Sequence, residues 1–227
     1  MPSQPLHPPV APIFVENIAH EAAGTAAILQ AAEATFSRCG YAGASMREIA
    51  LAAGVSKSLL HYHFESKEQL FVDVQIRAYR RLSERVMAAV AEVSGSQERG
   101  LVAFDALFAA LRDGNDLGVQ AELWASATSD PRLRHHVARL REFFRALLAY
   151  SIDQILGEDR DRLPMGVEAA ADLIWAVLNG LGVAMAFAEP EERVTRCIAA
   201  LRILTSMTLS TSGLPAVRPK RNTKRRT

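Results

Sequence analysis

Cysteine is nearly absent. Cys39 and Cys197 are the two in 227 residues, far apart and in no metal or redox spacing. A disulfide framework is excluded as the basis of the fold, and a reducing compartment, the cytoplasm, is the expected setting. Charge of one sign is missing as well. Lys and Arg number 26 against 25 Asp and Glu, a net of +1, so no global field draws the chain to an acidic polymer. The longest uncharged stretch, residues 173–188, carries Asn179, Gly180 and Gly182. It falls short of the roughly 20 apolar residues that span a bilayer and reads as a buried helix, with no membrane partner. Pro2, Pro5, Pro8, Pro9 and Pro12 crowd the start without a cationic flank or an apolar run, which does not read as a signal peptide.

The machinery of catalysis is also lacking. The sequence has no nucleophile motif, no paired carboxylates at helical spacing and no glycine-rich phosphate loop with its lysine. His61 and His63 lie two apart and His135 and His136 are adjacent, so on helices each pair diverges and cannot share a metal. An enzyme is the less favoured reading, and neither a cofactor nor a metal is expected.

What remains is helical pattern almost throughout, with no alternating β-branched run of strand length. The expected fold class is all-α. Residues 1–22 read as a disordered arm, 23–70 as a three-helix unit, 71–211 as a larger helical domain, and 212–227 as a basic disordered tail. That tail has Arg218, Lys220, Arg221, Lys224, Arg225 and Arg226 and no acid. It suits a phosphate-binding arm or a solubilising end equally well.

The first helix is expected over about 25–39, with Ile28, Ala32 and Phe36 on one face, ending at Gly40. Ser45-Met-Arg-Glu48 is a capping box that opens a second helix. Gly54 makes a turn, and Ser56 caps a short third helix that ends at His63. Ser66-Lys-Glu-Gln69 is a second capping box, opening a long helix to about 93. Further helices are expected at about 97–113, 116–128, 131–156, 166–188 and 191–210. The small Ala50 lets two helices cross closely, Gly54 takes a backbone conformation that side chains resist, and Leu60 anchors the third helix. Leu60 and Phe64 share the inward side of that helix. Lys57, Ser58, His61 and Tyr62, at i, i+1, i+4 and i+5, share the other, and all carry donors suited to phosphate oxygens. Ser45 and Lys67 open the neighbouring helices, whose first amides can also meet phosphate.

Gly40-Tyr41, Ser45-x-Arg47-x-Ile49-Ala50, Ala53-Gly54-Val55-Ser56-Lys57, Leu60-His61-Tyr62-His63-Phe64 and Ser66-Lys67-Glu68-x-Leu70 together resemble the DNA-binding domain of TetR-type regulators. The resemblance covers about residues 25–71. It implies a homodimer with two recognition helices in successive major grooves of double-stranded operator DNA, and in most members a repressor released by a small molecule. On that resemblance Ser45, Arg47, Lys57, Ser58, Leu59, His61, Tyr62, His63 and Lys67 approach DNA. A helical adaptor that uses the same unit for protein contacts is the alternative. The donors on the exposed face speak against it, because a protein-binding helix shows apolar anchors there.

In the second domain Phe104, Phe108, Trp124, Phe143, Phe144 and Trp175 read either as ordinary core or as the wall of a cavity for a small apolar or amphipathic ligand. Asn179, in an apolar segment, needs a hydrogen-bond partner, either such a ligand or a residue across a dimer. Leu178, Leu181, Ala184, Met185, Val194, Ile198, Leu201 and Thr205 on the last two helices look like half of a four-helix dimer interface.

Overall fold

The computed structural model describes residues 23–113, 127–128, 130–186 and 190–210. The proline-rich arm, Trp124, most of the helix expected over 116–128 and the basic tail lie outside the described residues. Those described form eight α-helices and no strand. They are α1 (Ala23–Gly43), α2 (Met46–Ala52), α3 (Lys57–His63), α4 (Lys67–Val90), α5 (Ser96–Asp113), α6 (Pro131–Leu156), α7 (Val167–Ala186) and α8 (Glu191–Ser210), with a 3-10 turn Gly157–Arg162 after α6.

Local chemistry sets the helix ends. Ser45 Oγ accepts from the Glu48 amide at 3.2 Å, and the Ser45 amide donates to Glu48 Oε2 at 3.1 Å, which closes the capping box that opens α2. Ser56 Oγ accepts from the Leu59 amide at 3.1 Å, and Ser66 Oγ from the Gln69 amide at 3.1 Å. Gly54 sits at φ +67° in the α2–α3 turn, where a side chain is strained. Gly40, expected to end α1, instead kinks it. Its φ of 71° breaks the helical backbone, and the helix resumes to Gly43. Asp130 caps α6 through the Leu133 amide at 3.4 Å, with Pro131 in the first turn where its missing N–H is no loss.

Apolar residues from α1, α2 and α3 form one core. Ile28, Phe36, Ile49, Leu60 and Phe64 are buried in it, joined by Leu70, Phe71 and Val74 of α4 and Leu133 of α6. Burying each of these larger side chains contributes about 1.5–3 kcal/mol. Phe36 and Tyr41 both pack edge-on against Phe71, at 4.9 and 5.4 Å between ring centres. The second core lies between α4, α5, α6 and α7, around Val72, Tyr79, Phe108, Leu140, Phe144, Leu178 and Leu181. A third, with Val86, Val90, Ala103 and Ile155, closes the far end of α4. One helix, α4, therefore contributes to all three. By length and composition α7 could cross a bilayer, but Ala171, Leu178 and Leu181 on it are buried inside the protein.

Candidate nucleic-acid interface and ligand cavity

The short α3 buries Leu60 completely and turns Lys57, Ser58, His61 and Tyr62 outward. Tyr62 is 83% exposed and Leu59 40%. The four donors expected on one face are thus all free of the core, with Leu59 beside them. Arg47 is exposed on α2. The remaining candidates are engaged. Ser45 Oγ donates to Glu48 Oε2 at 2.8 Å within the capping box. His63 is half-buried, its Nδ1 3.4 Å from the Thr25 hydroxyl, which ties the end of α3 to the start of α1. Lys67 does not point away from the protein at all. Its ammonium donates to the carbonyls of Tyr41 and Ala44 at 2.9 and 3.0 Å and stands 4.4 Å from the centre of the Tyr41 ring. Three donors on a flexible stem reach two orphan carbonyls at the end of α1 before any external anion.

A tie that sequence pattern missed runs through the same corner. Tyr41 Oη donates to Glu68 Oε1 at 2.8 Å. Burial, and next the Glu68 carboxylate, push the Tyr41 phenol well above its ordinary value. Burial of Glu68 alone would raise its own carboxyl, but its backbone amide, the Tyr41 and Ser66 hydroxyls and nearby Lys67 outweigh that and hold it below the usual range. On the other side of the DNA-binding unit Arg77 Nη1 donates to the Ala26 carbonyl at 3.3 Å, and Arg81 pairs with Glu33. Through these contacts α4 holds α1 at Ala26, Glu33 and Tyr41.

From Tyr79 onward α4 also borders an open cavity of about 350 Å³ between α4, α5, α6, α7 and α8. Phe104, Phe108 and Phe144 line it as expected, with Tyr79, Leu82 and Ser83 from α4, Ser151 and Ile155 from α6, and Leu173, Leu204 and Thr205 from the last two helices. Phe143 and Trp175 do not line it. Phe143 packs under the Arg80 guanidinium at 5.3 Å, and Trp175 backs Phe144 at 4.5 Å. Asn179 does not line the cavity either. Its amide donates to the carbonyl of Trp175 one turn back, at 2.6 Å, so neither a ligand nor a second subunit is needed to satisfy that donor. Ser83 and Ser151 were missed. The available signal was a small polar residue inside an apolar stripe: Tyr79, Leu82, Ser83 and Val86 on α4, and Phe144, Leu147, Ser151 and Ile155 on α6.

The expected dimer residues also divide. Leu178 and Leu181 are buried within the subunit, 4% and 8% exposed. Val194, Ile198 and Leu201 are partly buried against the same core, and Thr205 lines the cavity. Leu178 and Leu181 therefore cannot form an interface. The apolar side chains left outside are Leu173, Val183, Ile203, Leu204 and Met207, each 44–62% exposed.

An exposed donor face on the second helix of a helix-turn-helix, seated on an all-helical body, defines a DNA-binding protein of the transcription-regulator class. Residues 28–74 match the family model of bacterial regulatory proteins of the tetR family, and residues 96–210 match that of the BetI-type transcriptional repressor C-terminal domain. An uncharacterized HTH-type transcriptional regulator of Mycobacterium tuberculosis is 31% identical over 166 residues, 73% of this chain and 78% of that one. A TetR-family regulator from a Rhodococcus species superposes with a TM-score of 0.62 at 21% identity, covering 81% of this chain and 97% of the other. The regulator FadR of Bacillus subtilis, solved in complex with stearoyl-CoA, superposes at 0.59 with 17% identity over 83% and 99% of the two chains. The chain belongs to the TetR family of transcriptional regulators.

Proposed function

We propose that the protein is a homodimeric, cytoplasmic repressor that binds a near-palindromic operator through α3 and leaves it when a small molecule enters the cavity. The observation that carries the reading is the double duty of α4. Arg77 and Arg81 on it hold α1 of the DNA-binding unit, and Tyr79, Leu82 and Ser83 of the same stretch wall the cavity. A ligand that binds one position of α4 better than another shifts the spacing of the two α3 helices by that difference in affinity. On this reading Lys57, Ser58, His61, Tyr62 and Arg47 meet DNA, and Leu59 packs against a base edge. Ser45, His63 and Lys67 support that face from within. The second copy sits on the exposed apolar sides of α7 and α8. Its two-fold symmetry sets half-sites about one helical turn, or a small multiple, apart.

The test is a gel shift of the full chain against DNA flanking its own gene. A retarded band that competes with itself and not with unrelated DNA supports the reading. Absence of any sequence-selective shift at low salt would leave the helical adaptor as the better account.

A further inference from the structure

We propose that the cavity takes an uncharged, chiefly apolar molecule carrying one hydrogen-bond-accepting oxygen, as in a ketone, ester or aldehyde, and that Ser83 and Ser151 hold that oxygen. The inference rests on the ligand-release reading above only for its regulatory consequence.

Charge excludes the ionic alternatives. Among the described residues that line the cavity there is no Lys, Arg, His, Asp or Glu. An anion or cation would surrender its hydration with no opposite charge to replace it, a cost that uncharged molecules escape. Size sets the scale. About 350 Å³, at the roughly 30 Å³ that a water occupies in the liquid, admits on the order of a dozen non-hydrogen atoms.

The two serines supply the polar feature. Ser83 on α4 and Ser151 on α6 face each other with their hydroxyl oxygens 3.1 Å apart, and Ser151 is only 8% exposed. A pair of hydroxyls that bond each other spends one hydrogen and keeps one. No other described residue bonds either hydroxyl, so the second O–H has no acceptor among the described residues of a largely apolar cavity. A buried donor without an acceptor is unfavourable, whereas spare lone pairs are tolerated. A ligand oxygen that accepts this hydrogen removes the deficit, and an aliphatic or aromatic body fills the space between Phe104, Leu107 and Ile155. Thr208 makes no comparable demand, because its hydroxyl already donates to the Leu204 carbonyl at 2.9 Å. Ser83 lies on the helix that holds the DNA-binding unit. A ligand that takes a hydrogen of the pair therefore acts on a bond that joins α4 to α6.

Two molecules with the same number of non-hydrogen atoms separate charge from size: methyl nonanoate, a neutral ester, and ionised decanoate. Butylbenzene supplies an apolar body without oxygen. Binding of each to the full chain is measured by calorimetry at pH 8, with melting curves of every unliganded variant. The ester is expected to bind at least about tenfold tighter than decanoate. Ser83→Ala and Ser151→Ala each weaken the ester roughly three- to tenfold and leave butylbenzene unchanged, a split that a general loosening of the fold does not produce. Equal binding of ester and decanoate, no ester binding up to its solubility limit, or ester affinity unaltered in both alanine variants overturns the proposal. Gel shifts with and without ester address the earlier reading independently. An ester that binds the protein and leaves operator affinity unchanged sinks ligand release and leaves the cavity assignment standing.

Discussion

Lys57 and Lys67 are both positively charged and both sit in the first turn of a helix, yet they do different work. Lys57 is exposed and bonds no other described residue, whereas Lys67 closes the end of α1 through two carbonyls and the Tyr41 ring. Lys57→Ala is expected to weaken every DNA sequence alike and to reduce the slope of log affinity against log salt by about one. Lys67→Met is expected to leave that slope nearly unchanged and to cost about 1.5–3 kcal/mol in folding stability, since its bonds are charge-assisted. Salt titrations of DNA binding and denaturant melts of both variants check the pair. A salt slope that falls with Lys67→Met would return that residue to the DNA face. Leu59→Ala tests reading rather than holding. It is expected to relax preference at one position per half-site, seen by binding-site selection, with little loss of nonspecific affinity. Glu68 makes the same corner sensitive to acid. Its carboxyl is held below the ordinary range, so the charged form favours the folded state. That contribution is complete above the unfolded value near 4.5 and disappears as pH falls through the lower folded value. Glu68→Gln is expected to lose stability at pH 7 and to show a flatter decline than the wild type below about pH 4.5, measured by melting temperature against pH.

At the scale of the helices, what was legible in the sequence was whatever the backbone itself demands. Ser45 with Glu48, Gly54 and the fully buried Leu60 each answer a local requirement, and they fixed α2 and α3 to within a residue of their observed ends. The orientation of α7 was not legible. It is apolar on both sides, and periodicity cannot aim a helix that is hydrophobic all round. Leu178 and Leu181 turn inward and Leu173 and Val183 outward. Asn179 was illegible for a different reason, because its partner is a carbonyl of its own helix. The role of α4 is a matter of length. At 24 residues it reaches from the DNA-binding core past the cavity, and the Arg81–Glu33 pair with the Arg77–Ala26 bond join it to α1. Arg81 is 42% exposed in that pair, so screening leaves Arg81→Ala with about 0–1 kcal/mol of stability cost. A larger effect is expected in the response to ligand. With α1 held less firmly, a bound ester should release less DNA at saturation, read from gel shifts at fixed protein. Unchanged release in an Arg77→Ala, Arg81→Ala double variant would mean that coupling reaches α1 through packing alone.

For the whole molecule, the exposed apolar side of the last two helices is where the proposed second copy would dock. Leu173, Val183, Ile203, Leu204 and Met207 each leave 44–62% of their surface outside the subunit, a concentration of apolar area that a solitary soluble protein seldom presents. Gly180 lies on the same outward side of α7, and a methyl group added there would meet nothing within 4 Å, so a second backbone has room to approach. A stable interface of this sort buries roughly 2,000 Å² or more. Leu173 and Leu204 belong to this side and also line the cavity, which places a cavity mouth where the second copy would lie. In the proposed dimer, assembly and ligand retention would be linked, since the partner subunit would cover the exit. Replacing Ile203, which is 62% exposed, by Glu puts a charge on that side. The expected product is a folded monomer by sedimentation, with helical content preserved and operator affinity lowered by at least about a hundredfold, because two half-sites no longer act as one. The same variant should release bound methyl nonanoate faster than the wild type. A variant that remains dimeric with an unaltered melting temperature would move the interface to another face. A clean monomer that holds the ester as long as the wild type would keep the interface and remove the partner from the cavity mouth.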